Sequence, residues 1–255
     1  MKYEMKSAIL KCVRLLGGRW ILKTLNRGLR RFSAMTHYLQ YVLEWGVKPV
    51  PGWFDHHLDL HYLWHKTRTP LSWERGIFNL LAIREGAKVL ELCCGDGFNA
   101  YYFYSIRAGR IVAVDLDAEA IRSAVRYYVA PNLHYAVADI RTQMPDELFD
   151  NIVWDASLEY FTEAEIEQLM RDIKARLGTG GVLSGYSIVQ DYRHDEHKYI
   201  FRSKDDLLRF LQPYFRNVRI FETRYPSRHN LYFFASEGEL PFDAEWPLQT
   251  LSCRL

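Results

Sequence analysis

Val89-Leu90-Glu91-Leu92-Cys93-Cys94-Gly95-Asp96-Gly97-Phe98-Asn99-Ala100 decides the fold, because it reads in order as a buried strand, a glycine turn and the start of a helix. Gly95 and Gly97 let the backbone approach a ligand with no Cβ in the way. The helix that follows offers N–H groups without intrahelical partners, which suits a nucleotide-type cofactor. The spacing G-x-G-x-x-A also fits the dinucleotide fingerprint, so the surrounding sequence has to select the cofactor.

Working outward, the β-branched run Ile111-Val112-Ala113-Val114 ends in Asp115, at the place where a carboxylate accepts hydrogen bonds from ribose hydroxyls. A third apolar run, 133–138, ends in Asp139. The dinucleotide fingerprint requires neither that acid nor one inside the first strand at Glu91. Taken together, Glu91, the Gly95/Gly97 turn, Asp115 and Asp139 resemble the class I S-adenosylmethionine-dependent methyltransferases. The resemblance implies that Glu91, Cys93, Gly95 and Gly97 handle the methionine part of that cofactor. Asp115 with Leu116 would bind the ribose side and Asp139 with Ile140 the adenine side. Cys93 stands where the family most often has glycine.

The resemblance continues over residues 149–161, similar to the family's fourth strand and catalytic edge, with Asp155 at its end implied to border the cofactor as well. Residues 177–183 are similar to its L-x-P-G-G turn, with Thr179 in place of proline. Residues 218–223 and 231–235 fit the antiparallel pair that closes this fold. The expected architecture is α/β: a doubly wound, seven-stranded, mostly parallel sheet with a C-terminal antiparallel hairpin and an N-terminal helical extension. The chain divides accordingly into a basic helical extension (1–45), an aromatic and histidine-rich lid (46–85), the methyltransferase core (86–236) and a tail (237–255).

Local signals support alternating helices and strands. Asp117 is placed to cap a helix whose Ala120, Ile121, Ala124, Val125 and Tyr128 share a face. Thr162 with Glu165 forms a capping box before Ile166, Leu169, Met170, Ile173 and Leu177, and Gly178 stops that helix. In such sheets ligands sit outside the carboxyl ends of the strands, where all the acids and glycines named above fall.

At 255 residues and 49% apolar, the chain is long enough to bury a sizeable core. Its four cysteines show neither a disulfide framework nor a zinc spacing, and the adjacent Cys93 and Cys94 point to a reducing, cytoplasmic setting. No uninterrupted run of 18 apolar residues suggests a spanning helix, and the first residues lack a secretory pattern. Residues 1–31 carry nine Lys/Arg against Glu4, a net +8 that leaves −6 for the rest of a chain at +2. In that segment Met5, Ala8, Ile9, Cys12, Val13, Leu16 and Trp20 recur near the helical period, with a break expected at Gly17-Gly18. Two readings stand open for this basic face: packing on the core or on a second copy, and peripheral contact with an anionic membrane. The acidic remainder argues against nucleic acid.

Between 46 and 85, Trp53, Phe54, Tyr62, Trp64 and Trp73 interleave with histidines. His57, His61 and His65 are four apart, a metal-ligand spacing, but no carboxylate–histidine signature accompanies them, so no metal is assigned. The resemblance implies direct displacement of a sulfonium methyl, with deprotonation where the nucleophile is a hydroxyl. Base candidates are Asp155 and Glu159 at the end of strand four, and Asp191, His194 and His197 in the loop after strand five. His197 precedes Phe201-Arg202-Ser203 in a pattern similar to many small-molecule methyltransferases. Trp154-Asp155-Ala156-Ser157 lacks the N-P-P-Y motif of nucleic-acid amino methyltransferases. Ser184-Gly185-Tyr186-Ser187 lacks the Asp-Asn pair of the metal-assisted catechol type. The aromatic-rich lid, acidic core and basic amphipathic start suit a small polar or sugar acceptor, methylated on oxygen or nitrogen. The alternatives are a catalytically inactive methyltransferase-fold binding protein and an NAD-dependent oxidoreductase.

Overall fold

The computed structural model describes residues 7, 11, 18–43, 68–190, 196–226 and 228–240. The aromatic and histidine-rich positions 53–65, Asp191 and His194 fall outside these residues, as do Met5, Ala8, Ile9, Cys12, Val13 and Leu16. The chain forms two compact units, Met1–Pro51 and Gly52–Leu255.

In the first unit the described element is α1, Gly18–Tyr41, which contains no acidic residue. This described helix starts at Gly18 and ends at Tyr41, inside the helical extension expected over 1–45, while Gly17, the other half of the glycine pair, lies outside the described residues. The stretch that follows contains no proline, and its one internal glycine, Gly28, costs only about 1 kcal/mol relative to alanine. Trp20 falls on the same side of α1 as Lys23, Arg27 and Arg31, rather than with the apolar stripe.

The second unit runs α2 (Leu71–Ala82), β1 (Lys88–Leu92), α3 (Phe98–Tyr102), β2 (Arg110–Asp115), α4 (Ala118–Tyr127), β3 (Leu133–Val137) and β4 (Phe149–Asp155). It continues with α5 (Glu163–Arg176), β5 (Leu177–Val189), α6 (Lys204–Leu211), β6 (Asn217–Tyr225) and β7 (Arg228–Ser236). Strand order is β3-β2-β1-β4-β5-β7-β6. The first five strands are parallel, and β7 lies antiparallel between β5 and β6. The order reverses between β1 and β4, which opens a crevice at their carboxyl ends.

Period-two side chains divide the core between the two faces of the sheet. Leu90, Leu92, Ile152 and Trp154 pack against Leu169, Met170 and Ile173 of α5 and Leu207 of α6. On the opposite face Val89, Ala113 and Val153 meet Phe98, Phe103 and Tyr104. There α2 lays Leu71, Phe78 and Ala82 on β5 and β7, with Phe78 stacked on Tyr232 at 3.8 Å between centroids.

Asp117 caps α4 through Glu119 and Ala120 N–H groups, and the Thr162/Glu165 capping box is formed. Two details differ from expectation. Helix α5 ends at Arg176, so Leu177 already belongs to β5. On α4 the buried side is Ala120, Ile121 and Ala124, with Tyr128 buried just past the helix end, while Val125, at the edge of that arc, is exposed.

Candidate active site

Between β1 and α3 the chain takes left-handed conformations at Cys93 (φ 56°), Gly95 (φ 55°) and Gly97 (φ 79°). A Cβ at Gly97 would overlap the Tyr135 hydroxyl, so that position admits only glycine without rearrangement. A Cβ at Gly95 would meet nothing within 4 Å. Gly95 thus presents bare backbone to open space at the strand ends, as a cradle for a ligand requires. Its N–H donates to Asp115 Oδ2 at 2.8 Å, and the Asp117 N–H donates to Asp115 Oδ1 at 2.9 Å. Asp115 therefore ties the end of β2 to the loop. Burial, then the charge of Asp115, pushes the Cys93 thiol up to about 12, so it stays protonated near neutrality.

Asp155, at the end of β4, is only 4% exposed and is held from three sides. Arg75 Nε and Nη2 donate to its Oδ2 at 2.7 and 2.5 Å, Asn99 Nδ2 to the same oxygen at 3.1 Å, and Asn79 Nδ2 to Oδ1 at 3.2 Å. Burial opposes the Arg75 charge, but the carboxylate of Asp155 outweighs it and holds the guanidinium above its ordinary pKa. Glu91, on β1, is 2% exposed. Burial, and then the negative charge of Asp155, raises its carboxyl well above the usual range. Glu91 Oε2, Asn79 Oδ1 and Asn99 Oδ1 are buried without a hydrogen-bond partner. Orphaned buried polar atoms cost free energy unless a ligand or water completes them. All three are acceptor oxygens, so a donor such as an ammonium group is the ligand chemistry that would complete them.

At the end of β3, Asp139 is clamped by Arg141, with Nε at 2.9 Å from Oδ1 and Nη2 at 2.7 Å from Oδ2, and these bonds lower its pKa. Arg141 reaches on to Glu165 at 3.2 Å. Leu116 is exposed directly after Asp115, while Ile140 is buried in the core.

The other described base candidates, Glu159 and His197, lie past the ends of β4 and β5. Glu159 is buried in a short 3-10 turn after β4, with its Oε2 3.4 Å from Ser187 Oγ on β5. Burial pushes its carboxyl up to about 7. Its carbonyl accepts N–H bonds from Lys198 and Tyr199 at 2.8 and 3.1 Å, which brings His197 alongside. His197 Nδ1 lies 2.7 Å from Gln190 Oε1, and its ring meets Tyr160 edge-on. A carbonyl oxygen only accepts, so Nδ1 carries the hydrogen and Nε2 of the neutral ring is the basic nitrogen.

Several site residues lie where sequence reasoning did not look. Arg75 and Asn79, four apart on α2, reach Asp155. Glu74 on the same helix accepts hydrogen bonds from Tyr232 at 2.9 Å, Tyr225 at 3.2 Å and Asn230 at 3.4 Å. Asn99 follows the glycine turn. The available signal was polar residues at i and i+4 within an otherwise apolar helix.

Residues 89–181 match a family described as a methyltransferase domain. Among solved structures, DhpI in complex with SAH is 21% identical with a TM-score of 0.56, the alignment covering 72% of this chain and 89% of that one. The N-methyltransferase NodS from Bradyrhizobium japonicum WM9 is 20% identical with a TM-score of 0.57, covering 67% and 98%. At these identities the likeness is one of fold. No curated protein matches the chain.

Proposed function

We propose, starting from a chain that carries the domain and fold of a class I S-adenosylmethionine-dependent methyltransferase, that its acceptor is a small polar or sugar-type molecule methylated on oxygen or nitrogen. The observation that carries this reading is Glu159, a buried carboxyl titrating near neutrality beside Ser187 and His197 at the strand ends. The cofactor supplies a methyl already activated on a sulfonium. The protein's own residues have to orient the acceptor, exclude water and take a proton.

On this reading Gly95 offers backbone contact, Glu91, Cys93 and Gly97 shape the methionine end, and Asn79 and Asn99 complete it. Asp115 with Leu116 receives the ribose, and Asp139 with Ile140 bounds the adenine. Asp155 is committed to Arg75 and two amides, so it positions rather than takes protons. Glu159 and His197 are the base candidates, and His194, outside the described residues, keeps its place from sequence. The segment 46–85 is the lid, its described part being α2. Nucleic acid is disfavoured as acceptor by the acidic remainder of the chain, and the reduced thiols fit the cytoplasm.

The test is calorimetric titration with S-adenosylmethionine, S-adenosylhomocysteine and NAD in parallel, followed by methyl transfer to a panel of sugars and small polar metabolites. Binding of both adenosyl ligands without NAD is expected, with turnover on a member of the panel. NAD binding alone, or turnover confined to nucleic acid, overturns the reading. In the same assay Asp115→Ala should weaken S-adenosylmethionine by about 10- to 150-fold, since charge-assisted hydrogen bonds contribute about 1.5–3 kcal/mol. Unchanged affinity removes Asp115 from the ribose site.

A further inference from the structure

Helix α1 separates its side chains by chemistry. At about 3.6 residues per turn, Leu22, Leu25, Leu29, Phe32, Met35 and Leu39 fall within an arc of about 140°. Leu29 and Phe32 in that arc are 66% and 61% exposed. Lys23, Arg27, Arg30 and Arg31 occupy the opposite side, and no acid lies anywhere between Gly18 and Tyr41. The helix is about 36 Å long. Among the described residues no helix is long and apolar enough to cross a membrane.

We propose that α1 lies in the plane of an anionic lipid surface, its apolar arc at the acyl boundary and its cations among the headgroups. Charge selects this occupant. A second copy of α1 packed arc to arc would cover the apolar side but leave the outward cations of both helices with no carboxylate on either helix to pair them. A nucleic acid backbone would satisfy the cations and leave the leucine and phenylalanine arc wet. An anionic bilayer answers both faces, and the long Lys and Arg stems bend their charges back to the headgroup layer. The inference is independent of the acceptor.

The full chain is to be floated with phosphatidylcholine vesicles holding about 30% phosphatidylglycerol, and with pure phosphatidylcholine, at low and high salt. Partition is expected onto the anionic vesicles alone and should weaken with salt. Each headgroup-facing cation is worth about fivefold, so Arg30→Gln with Arg31→Gln should lower the partition coefficient about 30-fold. Leu29→Gln with Phe32→Gln should remove the salt-resistant part. Thermal melts of both variants establish that the core remains folded. Absence of partition by the folded wild-type chain, or equal partition of wild type and both variants, overturns the proposal. So does lipid-free sedimentation showing an oligomer that Leu29→Gln with Phe32→Gln dissolves while no vesicle is bound, which assigns the face to a second copy.

Discussion

Asp155→Ala is expected to destabilise the fold by about 3–5 kcal/mol, the usual cost of leaving one member of a buried ion pair without its partner. The carboxylate is buried and accepts from Arg75, Asn79 and Asn99. Removing it strands a guanidinium whose side chain is only 12% exposed and leaves two amides short of an acceptor. Urea unfolding reads the effect as a lower midpoint at unchanged slope. The double variant Arg75→Leu with Asp155→Leu should recover much of the loss, because two apolar groups bury without an uncompensated charge. A single-variant loss below about 1 kcal/mol would mean that water reaches the pair, since exposed pairs contribute that little.

Glu159→Gln is expected to change how stability depends on pH. The folded carboxyl titrates near 7 against an ordinary value of 4.5. A raised folded pKa means that the native state holds the proton longer. The contribution of Glu159 is therefore fully present below about pH 4.5 and is lost as pH rises through 7. Over that interval the loss is about 3 kcal/mol, at about 1.4 kcal/mol per pH unit. The amide variant should match wild type at acidic pH and exceed it by about that amount at pH 9. Glu74, Glu91 and Asp115 are also raised, chiefly by burial, and add to the wild-type slope. The difference between the two proteins isolates Glu159. Parallel pH curves would show that the carboxyl is hydrated. Where it serves as base, the same substitution should also lower turnover by about 10²–10⁴-fold.

The strand–turn–helix order was legible because its signals are local. Glycines, caps and β-branched runs act over a few residues, so β1, β2, β4 and the Thr162 capping box could be read one after another. The same signals placed Glu91, Asp115 and Asp155 at strand ends. What escaped was long-range. Arg75 and Asn79 are set by a partner about eighty positions away, which their i, i+4 spacing on α2 hints at but does not identify. Cys93 was legible as a departure from glycine, but its left-handed backbone was not, since side-chain identity there argues against that conformation.

Helix α2 is fastened on both flanks. Arg75 and Asn79 hold it to Asp155, while Glu74 and Phe78 hold it to Tyr232, Tyr225 and Asn230 of the closing hairpin. It therefore works as a rivet between the crevice and the far edge of the sheet. Neither end can be withdrawn alone: opening the helix at Asp155 drags on the aromatic stack over β7, and fraying of the hairpin loosens the guanidinium. Amide protons of α2 and β7 should accordingly exchange with deuterium as one cooperative block, so that occupancy of the crevice is felt as slower exchange at the distant hairpin.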